Sequence, residues 1–167
     1  MDNNQNAGTQ IEIIAQGITQ DITKGMRARA YSASNELRNS SQMVLRGRRN
    51  GNEYIVPGTG RMTYYKRSKT AKITYKRYRA SAPGEPPAVR TGAFRASWQP
   101  ETEILPNSSG MVVKSAITSR IYTDNGKYRL GQVLEEGTSR MAPRPYKEKI
   151  VKNALPKIKQ IYNRPYT

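Results

Sequence analysis

The sequence predicts an α+β fold: a long N-terminal helix and a C-terminal helix packed on a small antiparallel sheet, with an extended basic loop or hairpin flap. Three observations predict it. Apolar residues recur at three-or-four spacing over the first 46 positions and again after Pro145, as amphipathic helices require. β-Forming residues alternate or cluster between Glu101 and Thr123. Between these regions lies a stretch dense in lysine, arginine and tyrosine and nearly free of acids. A length of 167 residues fits one domain, and no internal repeat is evident. The expected organisation is a disordered N-terminus over 1–8 and a single domain over 9–167. Within it, 46–90 forms a basic, Tyr-rich flap and a Pro/Gly-rich linker inserted after the long helix.

The first helix is expected over 9–46, with Ile11, Ile14, Ile18, Ile22, Met26, Ala33, Leu37 and Val44 on its apolar face. Positions 11, 22, 33 and 44 share an eleven-residue step, which tracks a nearly straight helix. Thr9 is placed as N-cap, with Glu12 closing a capping box. At about 1.5 Å per residue this helix runs on the order of 55 Å, long for so small a domain. Two dispositions stay open: the helix lies across its own sheet, or part of it packs between subunits.

Residues 46–80 hold eleven cations (Arg46, Arg48, Arg49, Arg61, Lys66, Arg67, Lys69, Lys72, Lys76, Arg77 and Arg79) against one acid, Glu53. Tyr54, Tyr64, Tyr65, Tyr75 and Tyr78 are interleaved with them. Glycines 47, 51, 58 and 60 with Pro57 mark turns, and 54–56 is expected to pair with 72–78 as a hairpin. Three readings of this tract stay open. It docks on an acidic neighbour, it contacts nucleic acid without sequence preference, or it is a solvated face.

Further along, 91–99 reads as a short helix carrying Phe94 and Trp98 on one side. Strands follow at 101–105, 111–117 and 120–123, with turns at 106–110 and 124–126. In the segment 130–146, Leu130, Val133 and Leu134 share one side of a short helix, which Gly137 is suited to end. Glu135 and Glu136 fall in its last turn, where the helix dipole disfavours negative charge. Arg140 and Arg144 are the nearest cationic partners, so the pair is either a structural clasp or directly functional. Pro145 is expected as the first residue of the last helix, which buries Ile150, Ala154, Ile158 and Ile161 or Tyr162 and bends or restarts at Pro156.

Composition narrows the function. Only about one residue in six is Leu, Ile, Val or Phe, and the net charge is +17, a balance on the disordered side of the usual boundary. The apolar residues are nonetheless periodic, so a small core is expected that leans on neighbouring subunits. Cysteine and histidine are absent, which removes disulfides, the usual general base and the commonest metal ligand. Neither a Ser-His-Asp set nor a metal-ligand spacing occurs. Gly58-Thr59-Gly60-Arg61 lacks the spacing and context of a phosphate loop. Glu101 and Glu103, two apart on a strand, are expected on a solvated edge. No enzyme activity, metal or cofactor is expected. The polar first six residues carry no secretory signal, and no stretch reaches the roughly 20 apolar residues that cross a bilayer.

Two stretches carry a resemblance. One is Leu130-Gly131-Gln132-Val133-Leu134-Glu135-Glu136-Gly137-Thr138 followed by Ala142-Pro143-Arg144-Pro145-Tyr146; the other is the proline- and glycine-rich 81–90 leading into Thr91-Gly92-Ala93-Phe94-Arg95-Ala96-Ser97. In this order and spacing they resemble the head–tail joining proteins of tailed phages, also described as neck or tail-completion proteins. In that family a Leu-Gly-x-x-Leu-Glu-x-Gly-Thr run precedes an Ala-x-Arg-Pro-aromatic run and a last helix. Phe94 stands where leucine is usual, Glu136 where an aromatic commonly precedes the glycine, and Tyr146 where phenylalanine is frequent. The resemblance covers about residues 81–156.

What it implies is a structural virion protein at the head–tail junction, made in the host bacterial cytoplasm. The subunit would form a homo-oligomeric ring of six or twelve copies. Its neighbours would be head-closure or connector proteins on one side and tail-terminator or tail-tube proteins on the other. Genomic DNA would pass through the lumen with non-specific contact, and no membrane is involved. Thr91, Gly92, Glu136, Gly137, Thr138, Arg144 and Pro145 match the family's marks and are expected to shape turns. The runner-up is a non-sequence-specific nucleic-acid-binding accessory protein that uses the basic tract 46–79.

Overall fold

Forty-four residues form α1 (Asn3–Arg46), about 66 Å of helix at 1.5 Å per residue. The computed structural model describes residues 3–107, 110–124 and 126–165. Residues 3–8, expected to be disordered, continue the helix, so Thr9 lies inside it and not at its cap. The Thr9 side chain is outside the described residues. Among the described residues, the buried side chains of α1 lie in its C-terminal half. Ala30, Ala33 and Leu45 are buried, whereas Ile18 and Ile22 of the same stripe are exposed.

Small side chains let the backbone approach α1 closely on its buried side. Ser34 donates to the Glu101 carbonyl at 2.9 Å and Ser40 to the Ile150 carbonyl at 2.7 Å. A serine so placed fills little space and satisfies its own hydroxyl, which burial otherwise penalises. Arg38 and Gln42 add bonds to the carbonyls of Trp98 and Arg95.

After α1 the chain runs out and back as a ribbon of two antiparallel ladders. β1 (Glu53–Ile55) pairs with β4 (Arg77–Arg79), and β2 (Arg61–Tyr65) pairs with β3 (Thr70–Thr74). The expected pairing is present over part of its span: Tyr54 and Ile55 lie opposite Tyr78 and Arg77, and Val56 bonds to Lys76, while the start of 72–78 is taken up by β2. Bonds from Gly51 to Ala80, from Ala80 to Asn52 and from Val56 to Lys76 continue the pairing between and below the ladders. A glycine is required at Gly51, where a Cβ would meet the Ala80 carbonyl oxygen at 2.6 Å.

The remaining elements are α2 (Ala93–Ala96), β5 (Gln99–Asn107), β6 (Gly110–Thr118), α3 (Leu130–Glu136) and α4 (Lys147–Tyr162). The 91–99 helix is reduced to four residues, because the chain straightens into β5 at Gln99. β5 and β6 form one hairpin in register from Gln99 opposite Thr118 to Asn107 opposite Gly110. Segment 120–123 is not a strand; it makes a single bridge, Tyr122 to Arg129. α4 begins at Lys147 with Tyr146 as its cap, two residues later than expected from Pro145. It runs through Pro156 without restarting, buries Ile150 and Ala154, half-buries Ile158 and Ile161, and leaves Tyr162 exposed. The result is an α+β fold in which α1 lies along the small antiparallel β5–β6 hairpin and α4 packs against α1.

The core gathers Leu45, Trp98, Tyr146 and Ile150, ringed by Leu37, Val44, Phe94, Ile117 and Leu134. Phe94, Trp98 and Tyr146 meet edge to face in all three pairs, with centroids 5.5 to 5.8 Å apart. This geometry sets the positive edge of one ring against the negative face of another. The Trp98 indole N–H is buried without an acceptor.

Candidate functional site

The two motif stretches, 81–97 and 130–146, meet in space. The lead-in 81–92 folds back on the segment that follows α3: Gly84 N–H donates to the Pro143 carbonyl at 3.2 Å, and Lys149 Nζ to the Gly84 carbonyl at 3.2 Å. Arg144 holds both sides. Its backbone N–H donates to Leu134 at 2.8 Å, and its guanidinium to the Ser81 carbonyl at 2.7 Å. Together they line a cleft of about 510 Å³ whose walls include Leu45, Phe94, Ile121, Leu130, Leu134 and Arg144.

The glutamates of α3 have other partners than the expected arginines. Glu135 Oε2 accepts the backbone N–H groups of Tyr146 at 3.0 Å and Lys147 at 3.2 Å, and so caps α4. Glu136 is exposed and accepts from Gln132 Nε2 at 3.3 Å, one turn back on the same helix. The clasp exists, but backbone amides fill the role assigned to Arg140 and Arg144. No signal in sequence spacing distinguishes a side-chain cation from the N-terminus of a helix eleven residues on.

Gly137 ends α3 at φ +78°, and its N–H closes on the Val133 carbonyl at 2.9 Å. Its ψ of −171° sends the chain out extended, not into a left-handed turn. Thr138 then pairs with Met141 in a tight loop, and its hydroxyl accepts from the Arg140 N–H at 3.2 Å. Gly92 at φ +86° starts α2, and the Thr91 hydroxyl accepts the Ala93 N–H at 3.3 Å. Pro145 is half-buried in the turn before α4. The Tyr146 hydroxyl donates to the Gly131 carbonyl at 2.9 Å, and burial pushes this phenol well above its ordinary range, with the nearby Glu135 charge adding to the shift. A Cβ at Gly131 would fall 2.8 Å from that hydroxyl, which accounts for the glycine.

The flap narrows to the ribbon, because 81–87 packs against the body with Ser81, Pro86 and Pro87 buried. Glu85, which sequence reading passed over, pins this return. Its carboxylate accepts from Asn50 N at 3.0 Å, Asn50 Nδ2 at 2.6 Å and Ala82 N at 2.9 Å, and these N–H donors, the Asn50 amide first, hold it below the usual carboxylate range. Arg49, grouped with the contact cations, is buried. It donates to the carbonyls of Pro87, Arg48 and Val44, and desolvation lowers its pKa. It serves the ribbon's base. The other ten cations of the tract, Arg46, Arg48, Arg61, Lys66, Arg67, Lys69, Lys72, Lys76, Arg77 and Arg79, are exposed.

Among the described residues, no three metal-ligating side chains cluster, and no helix is long and apolar enough to cross a membrane. Glu101 and Glu103 lie exposed on β5 beside Arg120 and Lys114, at 3.8 and 3.7 Å. The chain matches no family model, no curated protein and no solved structure.

Proposed function

We propose that this chain is a structural subunit of a ring at the head–tail junction of a tailed phage, with no catalytic turnover. The observation that carries the proposal is surface. The chain exposes 12983 Å², whereas a compact monomer of 18.8 kDa exposes roughly 8300 Å². Large apolar side chains stand exposed on elements that project, Ile18 and Ile22 on α1 and Met62, Tyr64 and Ile73 on the ribbon. Exposed apolar side chains grouped on one element suit an interaction surface. Copies of the chain, together with adjoining connector and tail proteins, would cover it.

The junction of the two motif stretches supports the same reading. Of the seven residues matched to the phage family, Thr91, Gly92, Gly137, Thr138, Arg144 and Pro145 make turns and backbone bonds around a structural knot, whereas Glu136 is exposed and bonds to the Gln132 side chain. In this role they set the angle between the ribbon, α3 and α4, and so the shape each subunit offers its neighbours.

Genetic removal tests the proposal. Disrupting the gene in the phage that encodes it should leave filled heads and finished tails unjoined, and adding the purified protein to that lysate should restore whole particles. Intact, infectious particles formed without the protein would overturn it.

A further inference from the structure

The register of the ribbon separates its side chains into two unlike faces. Successive residues of a strand point to opposite sides. In the β2–β3 ladder, Met62 opposite Ile73 and Tyr64 opposite Ala71 share one side. Tyr75 joins them over Gly60, where a Cβ would meet its ring at 2.9 Å and Ile73 at 3.5 Å. The other side carries Arg61 opposite Thr74, Thr63 opposite Lys72 and Tyr65 opposite Thr70. Lys66, Arg67, Ser68 and Lys69 form the tip. One face carries Met62, Ile73, Ala71 and two tyrosines and no cation; the other carries Arg61 and Lys72 with three threonines and one tyrosine.

We infer that this donor face, with the tip, binds the phosphate backbone of duplex DNA without sequence preference. Four observations point there. From Tyr54 to Gly84 the chain has no acid, and among the described ion pairs none involves Arg61, Lys66, Arg67, Lys69 or Lys72. Arginine, lysine, threonine, serine and tyrosine all contact phosphate oxygens; arginine and tyrosine are also common in protein–protein interfaces, and it is the lysines and serine, depleted there, that favour phosphate. A two-stranded ribbon also fits the width of a major groove. Finally, a second copy is a poor source of countercharge. The chain has only 12 acids, and Glu36, Glu53, Glu85, Glu101, Glu103, Glu135 and Glu136 already have partners. The inference does not rest on the ring reading, since an accessory protein would bind DNA by the same face.

The test is binding of the full chain to a short mixed-sequence duplex across a salt series. A triple variant Arg61→Gln, Arg67→Gln, Lys72→Gln should flatten the log–log salt dependence by about 2 to 3, near one for each phosphate left without its cation. A control of equal net charge, Arg140→Gln, Lys152→Gln, Lys159→Gln, should change it by less than about 1. The charge-keeping triple Arg61→Lys, Arg67→Lys, Lys72→Arg should retain the parent slope, which separates removal of the cations from damage to the fold. Equal reductions in the two glutamine triples would overturn the inference in favour of bulk attraction to a +17 chain. A donor-face variant that keeps its salt slope but no longer self-associates would overturn it in favour of a subunit contact.

Discussion

The carboxylate of Glu135 accepts the backbone N–H of Tyr146 at 3.0 Å, so the last turn of α3 supplies the N-terminal cap of α4. A single negative charge thus sits at two helix ends of opposite sign. It is disfavoured by the C-terminus of α3 and favoured by the N-terminus of α4, where it also meets the Lys147 N–H at 3.2 Å. Direct bonds to two amides outweigh a dipole at longer range. The position that looks unfavourable within α3 is what joins α3 to α4.

Replacing this cap should therefore be costly. Glu135→Ala should destabilise the protein by about 1 to 2 kcal/mol, and Glu135→Gln, which keeps an acceptor without the charge, by about half as much. Denaturant unfolding measures both. Because Arg144 bonds to Ser81 and not to Glu135, a double-mutant cycle with Arg144→Ala should show coupling within about 0.5 kcal/mol. Coupling well above that would restore the carboxylate–arginine clasp.

Gly137 and Gly84 separate two reasons for glycine. Both have φ near +78° (+78° and +77°), but only at Gly137 would a Cβ meet backbone, the Met141 carbonyl oxygen at 2.7 Å and Pro143 N at 2.8 Å. Gly84→Ala should cost about 1 kcal/mol, the conformational strain alone. Gly137→Ala should cost clearly more, and Gly137→Val should prevent normal folding or assembly. Equal melting temperatures for the two alanine variants would contradict the close approach.

Glu85 makes the ribbon's base sensitive to acid. Its folded pKa lies below its unfolded value because Asn50 and Ala82 N–H groups favour the carboxylate. Its stabilisation is then fully present above about pH 4.3, the ordinary glutamate value, and is lost as pH falls through the folded pKa. Protection of the Asn50 and Ala82 amides, taken relative to the intrinsic exchange rate at each pH, should fall across that window in the parent protein. Glu85→Gln should show the lower protection at neutral pH and lose that acid dependence; an unchanged profile would contradict the role of Glu85.

Much of the frame was legible because it rests on local rules. The stripe from Met26 to Val44, the β-formers around Ile104 and Val113, and the glycine stop at 137 all report short-range preferences that the fold keeps. What escaped was set by contacts distant in sequence. Arg49 looks like any other cation of the tract, and only the return of Pro87 to its guanidinium buries it. Thr9 has the chemistry of a cap, but nothing in a residue's own preference forbids the helix from continuing to Asn3. The two faces of the ribbon became readable only when pairing fixed Met62 opposite Ile73, since a slip of one residue would have mixed them.

The central claim is that so extended a subunit completes its burial against copies of itself, and the mass of the purified full-length protein in solution tests it most directly. Light scattering at micromolar concentration should give a defined multiple of 18.8 kDa, with rings visible by electron microscopy. A stable, cooperatively folding species of 18.8 kDa at every concentration would contradict the account.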